Sequence, residues 1–235
     1  MKISEIITED IDEGWKSNLA KVGAGAAIAL SNPAFVTINN NAPKLAQEIS
    51  HSTPARILAD LAVKSGIKGN ELIALMSQAS HETGGFSKMS EKGSPQYFQQ
   101  KYEAPKTAKI LGNVDKAGHV IPGSGQKYKG RGHLQITGKY NYTKVGNALG
   151  LPLDVHPEML DDPEIGAKAS LWYWQNRVAP KVVDFGNIKQ VTKPINPGLD
   201  NLPSREHHFN KIKNAAWPPE EPSKEKGRSP SLKSK

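Results

Sequence analysis

Residues 70–86 read NELIALMSQASHETGGF, and the spacing within them decides the fold class. Leu72, Ile73, Leu75, Met76 and Ala79 recur on one helical face, which predicts an amphipathic helix. Asn70 is the expected cap, Glu71 complements the helix dipole in the first turn, and the helix should stop near Gly84-Gly85. Glu82 follows Leu75 by seven residues and Ala79 by three, so it shares their face. A carboxylate turned toward apolar surroundings has its charged form disfavoured, which is what a general acid working near neutral pH requires. The competing reading of the same residue is a salt-bridged glutamate at a helix end.

A second carboxylate, Glu91, stands nine residues after Glu82, past two glycines that break the helix and let the chain turn back. Two carboxyl groups flanking one bond can hydrolyse a glycoside. In inverting enzymes they stand roughly 6.5–9.5 Å apart, leaving room for a water that one activates while the other protonates the leaving oxygen. Taken alone, Glu91 reads as a surface residue. His81-Glu82 invites a zinc reading, but a metalloprotease motif needs a second histidine where this chain has Gly85. His51, His119, His133, His156, His207 and His208 are scattered without ligand spacing.

Outward from this segment the pattern stays helical. Pro54 suits a first helical turn, with Ile57, Leu58, Leu61 and Ala62 at helical spacing behind it. The stretch from Pro105 to Gly125 predicts a surface loop around a short helix at 107–111. Further helices are expected from Tyr140 to Gly150 and over 162–176, the latter opened by Asp161 or Asp162 with Pro163 in its first turn. Strand signals are thin throughout. Trp172, Tyr173 and Trp174 point in different directions on a helix, which favours core packing over a sugar-stacking platform.

The second informative block is YKGRGHLQIT at 128–137, followed by Tyr140-Asn141-Tyr142. Its glycines allow close backbone approach, and the Gly-Lys-Ser/Thr order of a phosphate loop is missing. Gln135, Thr137, Tyr140 and Asn141 supply neutral donors, acceptors and a ring face, suited to a sugar bearing amide and hydroxyl groups.

The whole chain has 235 residues, 37% hydrophobic and 23% charged, with no cysteine and a formal charge of +8. That excludes thiol nucleophiles, disulfide frameworks and thiolate metal centres, and it favours polyanionic partners. No run of 18 apolar residues is present. Residues 1–50 read as a leader, mobile, processed or virion-targeting; Glu5, Glu9, Asp10, Asp12 and Glu13 stand where a signal peptide carries positive charge. Residues 51–217 form the expected catalytic domain, and 218–235 a disordered basic tail. The tail's Lys and Arg lack the aromatic interleaving of a nucleic-acid binder, so no nucleic-acid partner is expected.

Together these motifs resemble glycoside hydrolase family 19, the chitinase family that includes phage and bacterial cell-wall lysins. The resemblance runs from about Pro54 to Ala216. It rests on SHETGGF with the downstream glutamate, YKGRGHLQITGKYNY, ASLWYWQN, and VTKPINPG with a following arginine. It implies a mainly α, lysozyme-like fold with little or no β-sheet, Glu82 as general acid, Glu91 as general base, and inversion at the anomeric carbon. Thr137 matches the hydroxyl residue that helps place the attacking water. Gln135, Tyr140, Asn141 and Asn196 match residues lining the sugar sites, and Arg205 an arginine paired near the acid. Pro197 and Asp200 depart from the family pattern around Asn196.

The implied substrate is peptidoglycan, cut at β-1,4 bonds between N-acetylated sugars without cofactor or metal by a monomer weakly attracted to the anionic envelope. Such an enzyme acts on the bacterial wall; if phage-encoded it is made in the host cytoplasm, as a free, virion-associated or exported form. The alternatives are a chitinase of the same family, a lytic transglycosylase, whose usual Glu-Ser pair is here Glu82-Thr83, and a non-catalytic virion structural or sugar-binding protein.

Overall fold

The computed structural model describes residues 52–216; the leader expected over 1–50 and the tail expected over 218–235 lie outside them. Helix α1 (Thr53–Lys64) starts as its sequence dictates: Ser52 Oγ accepts from the Ala55 amide at 3.3 Å, and Pro54 fits the first turn, where no amide hydrogen is needed. It buries Ala55, Leu58, Ala59 and Ala62.

Helix α2 (Gly69–Glu82) is the buried centre of the domain, with every residue from Leu72 to Ser80 inside. Its start corrects the expected cap. Lys68 occupies the cap position without a side-chain bond, and Asn70 lies inside the helix. Glu71 takes a different partner, accepting from the Trp174 indole N–H at 3.0 Å. Its end is as expected. Thr83 Oγ donates to the Ala79 carbonyl at 2.6 Å and accepts from the Phe86 amide at 2.8 Å, while Gly84 and Gly85 take positive φ (58° and 76°). These bonds reverse the chain immediately after Glu82.

Helix α3 (Pro95–Tyr102), opened by Ser94, has no forerunner in the sequence reading, since Phe98 is its only buried residue. Helix α4 (Pro105–Leu111), closed by left-handed Gly112, contains the short helix expected at 107–111; the small α5 (Ser124–Lys127) follows the loop. Helix α6 (Lys139–Leu149) ends on left-handed Gly150. Asp162 Oδ1 caps α7 (Pro163–Tyr173) through the Glu164 and Ile165 amides at 2.9 and 3.0 Å. The helix expected to reach 176 continues without a break but changes pitch, passing into a π turn at Trp174–Val178. Helices α8 (Ile188–Ile195) and α9 (Leu202–Ala216) complete the described part.

Among the described residues there is no strand, only isolated antiparallel bridges, two of which join Arg131 to Ser90 and to Ile136. The fold is therefore mainly α and lysozyme-like, as the motifs imply. α2 packs chiefly on α9, and α7 on α1. Leu58, Leu75, Met76, Tyr142, Leu160, Leu171 and Trp174 fill the core, with Trp172 and Tyr173 partly buried against it. The aromatic triplet thus belongs to packing.

Arg131, Tyr142 and His133 fasten the 128–142 block over this core. Arg131 Nη1 donates to the Lys127 carbonyl (2.8 Å) and to the Tyr142 hydroxyl (3.0 Å); that hydroxyl donates to the Lys129 carbonyl at 2.7 Å. Buried His133 places Nε2 2.9 Å from the Pro54 carbonyl. The glycines of the block are consequently held against rigid neighbours.

Candidate active site

Glu82 is the last residue of α2, and its surroundings correct the apolar setting expected of it. Arg205, on α9 and almost fully buried, donates Nη2 to Glu82 Oε1 at 2.6 Å. The carboxylate meets a guanidinium across 123 residues of sequence, a partner that helical periodicity cannot reveal. Its other oxygen, Oε2, has no hydrogen-bond partner among the described residues. One turn below, Gln78 accepts from Arg205 Nη1 and donates Nε2 to Thr192 Oγ at 3.1 Å, while Thr192 Oγ donates to the Ile188 carbonyl at 2.7 Å. Arg205 Nε also reaches the Asp200 carbonyl at 3.3 Å. Each of these side chains thereby has a hydrogen-bond partner on either side, which is how a polar network rigidifies a core.

Glu91 is not the surface residue that it reads as when taken alone, its side chain being 17% exposed. Its amide donates to the Gly130 carbonyl at 2.8 Å, and the Gly132 amide donates to the Met89 carbonyl at 2.8 Å, docking its loop on the glycine block. The carboxylate accepts four bonds. Oε1 takes Lys101 Nζ at 2.8 Å and the Tyr97 hydroxyl at 3.3 Å; Oε2 takes the Tyr102 hydroxyl at 2.7 Å and the Gly130 amide at 3.1 Å. Burial alone would raise its pKa, but the bonds from Lys101, Tyr102 and Gly130 outweigh it and hold the carboxyl below the ordinary glutamate range. Glu91 is therefore an anion at neutral pH.

Gly130 also brings Gln135 and Thr137 to Glu91. A Cβ on Gly130 would lie 2.9 Å from Gln135 Oε1 and 3.3 Å from both Glu91 Oε2 and Thr137 Oγ. Three oxygens thus crowd a bare backbone. Gln135 has left-handed φ (48°), and its amide nitrogen is turned to the carbonyls of Gly132 (3.1 Å) and Met89 (3.4 Å), so its oxygen faces the cluster. Thr137 Oγ donates to the Gln135 carbonyl at 2.8 Å and keeps its lone pairs. A methyl group at 130 meets the ends of side chains, which can yield, so Gly130→Ala should fold normally yet lower turnover by about 10²-fold through misplacement of the cluster. Unchanged turnover in a steady-state assay would contradict this grouping.

The remaining expected residues are not brought onto either glutamate. Tyr140 is 45% exposed, its ring 5.7 Å from both Lys144 Nζ and Arg177 Cζ. Asn141 Nδ2 donates to the Thr137 carbonyl at 2.8 Å and so fixes the turn that carries Thr137. Asn196 closes its own loop, accepting from the Gly198 amide at 3.1 Å and reaching Asp200 Oδ2 at 3.4 Å. Asp200, one of the departures from the family pattern, is thus one of the partners of Asn196.

His81, the neighbour of Glu82 in sequence, meets His208 edge-on, with ring centroids 5.7 Å apart. Burial, Arg205 and His208 together push His81 down to about 4. Among the described residues no three His, Asp or Glu side chains are grouped to hold a metal ion. The residues missed by sequence reasoning are Gln78 and Thr192 behind Arg205, and Tyr97, Lys101 and Tyr102 around Glu91. For the latter the available signal was the Tyr-x-x-x-Lys-Tyr spacing, which places Tyr97 and Lys101 one turn apart on a helix.

The profile of the family described as chitinase class I, glycoside hydrolase family 19, matches residues 55–221. A glycosyl hydrolase family 19 domain-containing protein of Haemophilus influenzae is 32% identical over 149 residues, which cover 55% of this chain and 72% of that protein. An endochitinase of Arabidopsis thaliana is 35% identical over 141 residues, 60% of this chain and 44% of the endochitinase, so the chain spans less than half the length of that relative. Among solved structures, chitinase C from Streptomyces griseus HUT6037 aligns over 80% of this chain and 92% of its own, with 21% identity and a TM-score of 0.49.

Proposed function

The chain belongs to glycoside hydrolase family 19, and on that premise we propose that it is an inverting, peptidoglycan-degrading glycosidase with Glu82 as acid and Glu91 as base. The observation that carries the assignment of roles is the unequal treatment of the two carboxylates. Glu91 is saturated with donors that stabilise its anion, whereas Glu82 has one oxygen tied to Arg205 and the other free. A pair of carboxyl groups with divergent surroundings is the usual basis for dividing acid from base.

In the proposed reaction Glu82 gives its proton to the glycosidic oxygen as the bond from that oxygen to the anomeric carbon breaks. A water attacks the carbon from the opposite face, forming the new C–O bond and passing one proton to Glu91. The charge that develops on Glu82 falls against Arg205, a pre-placed cation that is worth more in the transition state than before it. Thr137, with its hydrogen committed to the Gln135 carbonyl, offers lone pairs to the water's second hydrogen. Exchange with solvent returns the proton from Glu91 and restores Glu82.

Peptidoglycan is supported as the substrate by the +8 charge, which draws the protein to an anionic wall, and by the absence of cysteine, which sets the chain apart from the disulfide-bearing plant members of a family that includes cell-wall lysins. Action at the bacterial wall, as a free or virion-associated lysin, follows from that substrate. Chitin is the second reading, and the endochitinase relative favours it. Mass spectrometry of digests separates them. Release of muropeptides from purified sacculi, with chitin left intact, supports the first reading; cleavage of chitin alone replaces it with the second.

A further inference from the structure

An ionised carboxylate has about four lone-pair sites for hydrogen bonds. Glu91 has four donors on it, two to each oxygen. As it stands, the carboxylate has no acceptor position left for a water. If Glu91 is the base, as the reading above holds, one donor must leave before it can act.

The four contacts are not equal. The Gly130 amide is backbone, docked by the Glu91 loop itself. Tyr102 is half-buried, at 2.7 Å, with its ring stacked on buried Phe98 at 6.2 Å between centroids. Lys101 carries the charge that balances the carboxylate, at 2.8 Å. Its Nζ also lies 5.1 and 5.0 Å from the centres of the Tyr97 and Tyr102 rings, an arrangement that favours the cation. Tyr97 makes the longest contact, 3.3 Å, and is 41% exposed. Lys101 Nζ donates to the Tyr97 hydroxyl at 2.8 Å, which turns that hydroxyl's own proton toward Glu91. Tyr97 is thus the donor that costs least to remove.

We propose that Lys101 and Tyr102 are positioning residues that fix Glu91 as an oriented anion, and that the Tyr97 hydroxyl holds on Glu91 Oε1 the place taken by the attacking water when sugar binds. Besides α3, the element packed on the carboxylate is the 128–131 loop, which contributes the Gly130 amide. Arg131 lies in the next layer, paired with Asp161 at 3.4 Å. Lys101 is thus the one cation in contact with Glu91 among the described residues, and its loss should be visible in the pH dependence.

The test uses the full chain and the pH profile of kcat/KM on solubilised wall glycan or a chitooligosaccharide, whichever the wild type cuts. Lys101 is half exposed at the surface, so Lys101→Met should fold. It should move the acid limb of the profile upward by about one pH unit or more, the ordinary effect of removing a neighbouring opposite charge, and lower kcat. Lys101→Arg should restore the limb. Tyr97→Phe should raise kcat/KM by about two- to tenfold, the equivalent of one neutral hydrogen bond no longer broken on each turnover. An acid limb unmoved in Lys101→Met, or a kcat/KM unchanged or lowered in Tyr97→Phe, overturns the proposal. Glu91→Gln separates the two levels. If that variant is inactive, either result refutes the clamp and placeholder alone; if it is fully active, the assignment of the base fails and this inference with it.

Discussion

Glu82→Gln is expected to lower turnover by at least about 10²-fold, the lower part of the range for a lost general acid. The substitution is close to isosteric, and its amide oxygen can still accept from Arg205 Nη2, which lies 2.6 Å from the carboxylate it replaces. Fold and sugar binding should therefore survive. Glu82→Ala should be equally inactive and also unstable, because it leaves a buried guanidinium short of its charged acceptor. The contrast separates chemistry from structure. Turbidity loss of permeabilised bacteria and thermal unfolding of both variants are the measurements, and a Glu82→Gln protein lysing walls near the wild-type rate would refute the assignment.

The second large effect is on stability. Arg205 is 3% exposed and satisfies Glu82, Gln78 and the Asp200 carbonyl at once. Arg205→Met should cost about 3–5 kcal/mol, the usual penalty when one partner of a buried ion pair is removed and the other stays behind. Arg205→Lys should recover part of it, since a point charge replaces the fork that spans Glu82 and Gln78. Urea unfolding measures this directly, and a midpoint shift worth less than about 1 kcal/mol would show that the network is worth little more than a surface pair. A double-mutant cycle with Gln78→Ala should show coupling, because both residues belong to one chain of bonds.

The elements legible in the sequence were those that carry local signals. Pro54, Gly150 and Asp162-Pro163 mark helix ends through their own backbone chemistry, and the structure places ends there. The Asn70 cap was misread because Gly69 takes positive φ and the chain enters the helix two residues earlier, at Lys68, without a side-chain cap. Helix α3 was invisible because its sequence, PQYFQQKY, has only Phe98 to bury; its other aromatic and cationic side chains are turned to Glu91.

The candidate site followed the same rule. Both glutamates were legible as a spaced pair, and Gln135 and Thr137 as polar groups on a glycine-rich block, which the structure brings to Glu91. Arg205 was named through the family resemblance alone, since it meets Glu82 from a distant helix that helical spacing cannot connect to it. The donors on Glu91 were not legible, because they come from α3 and from a backbone amide that no side-chain pattern encodes.

The central claim is that Glu91 activates a water on the face of the sugar opposite the leaving group, which obliges the anomeric centre to invert. Early-time proton NMR of a β-linked chitooligosaccharide or soluble wall fragment reads the newly formed end before mutarotation obscures it. An α product appearing first is the predicted result. A β product would mean retention, and a 1,6-anhydro end would mean transglycosylation; either would remove Glu91 as the base.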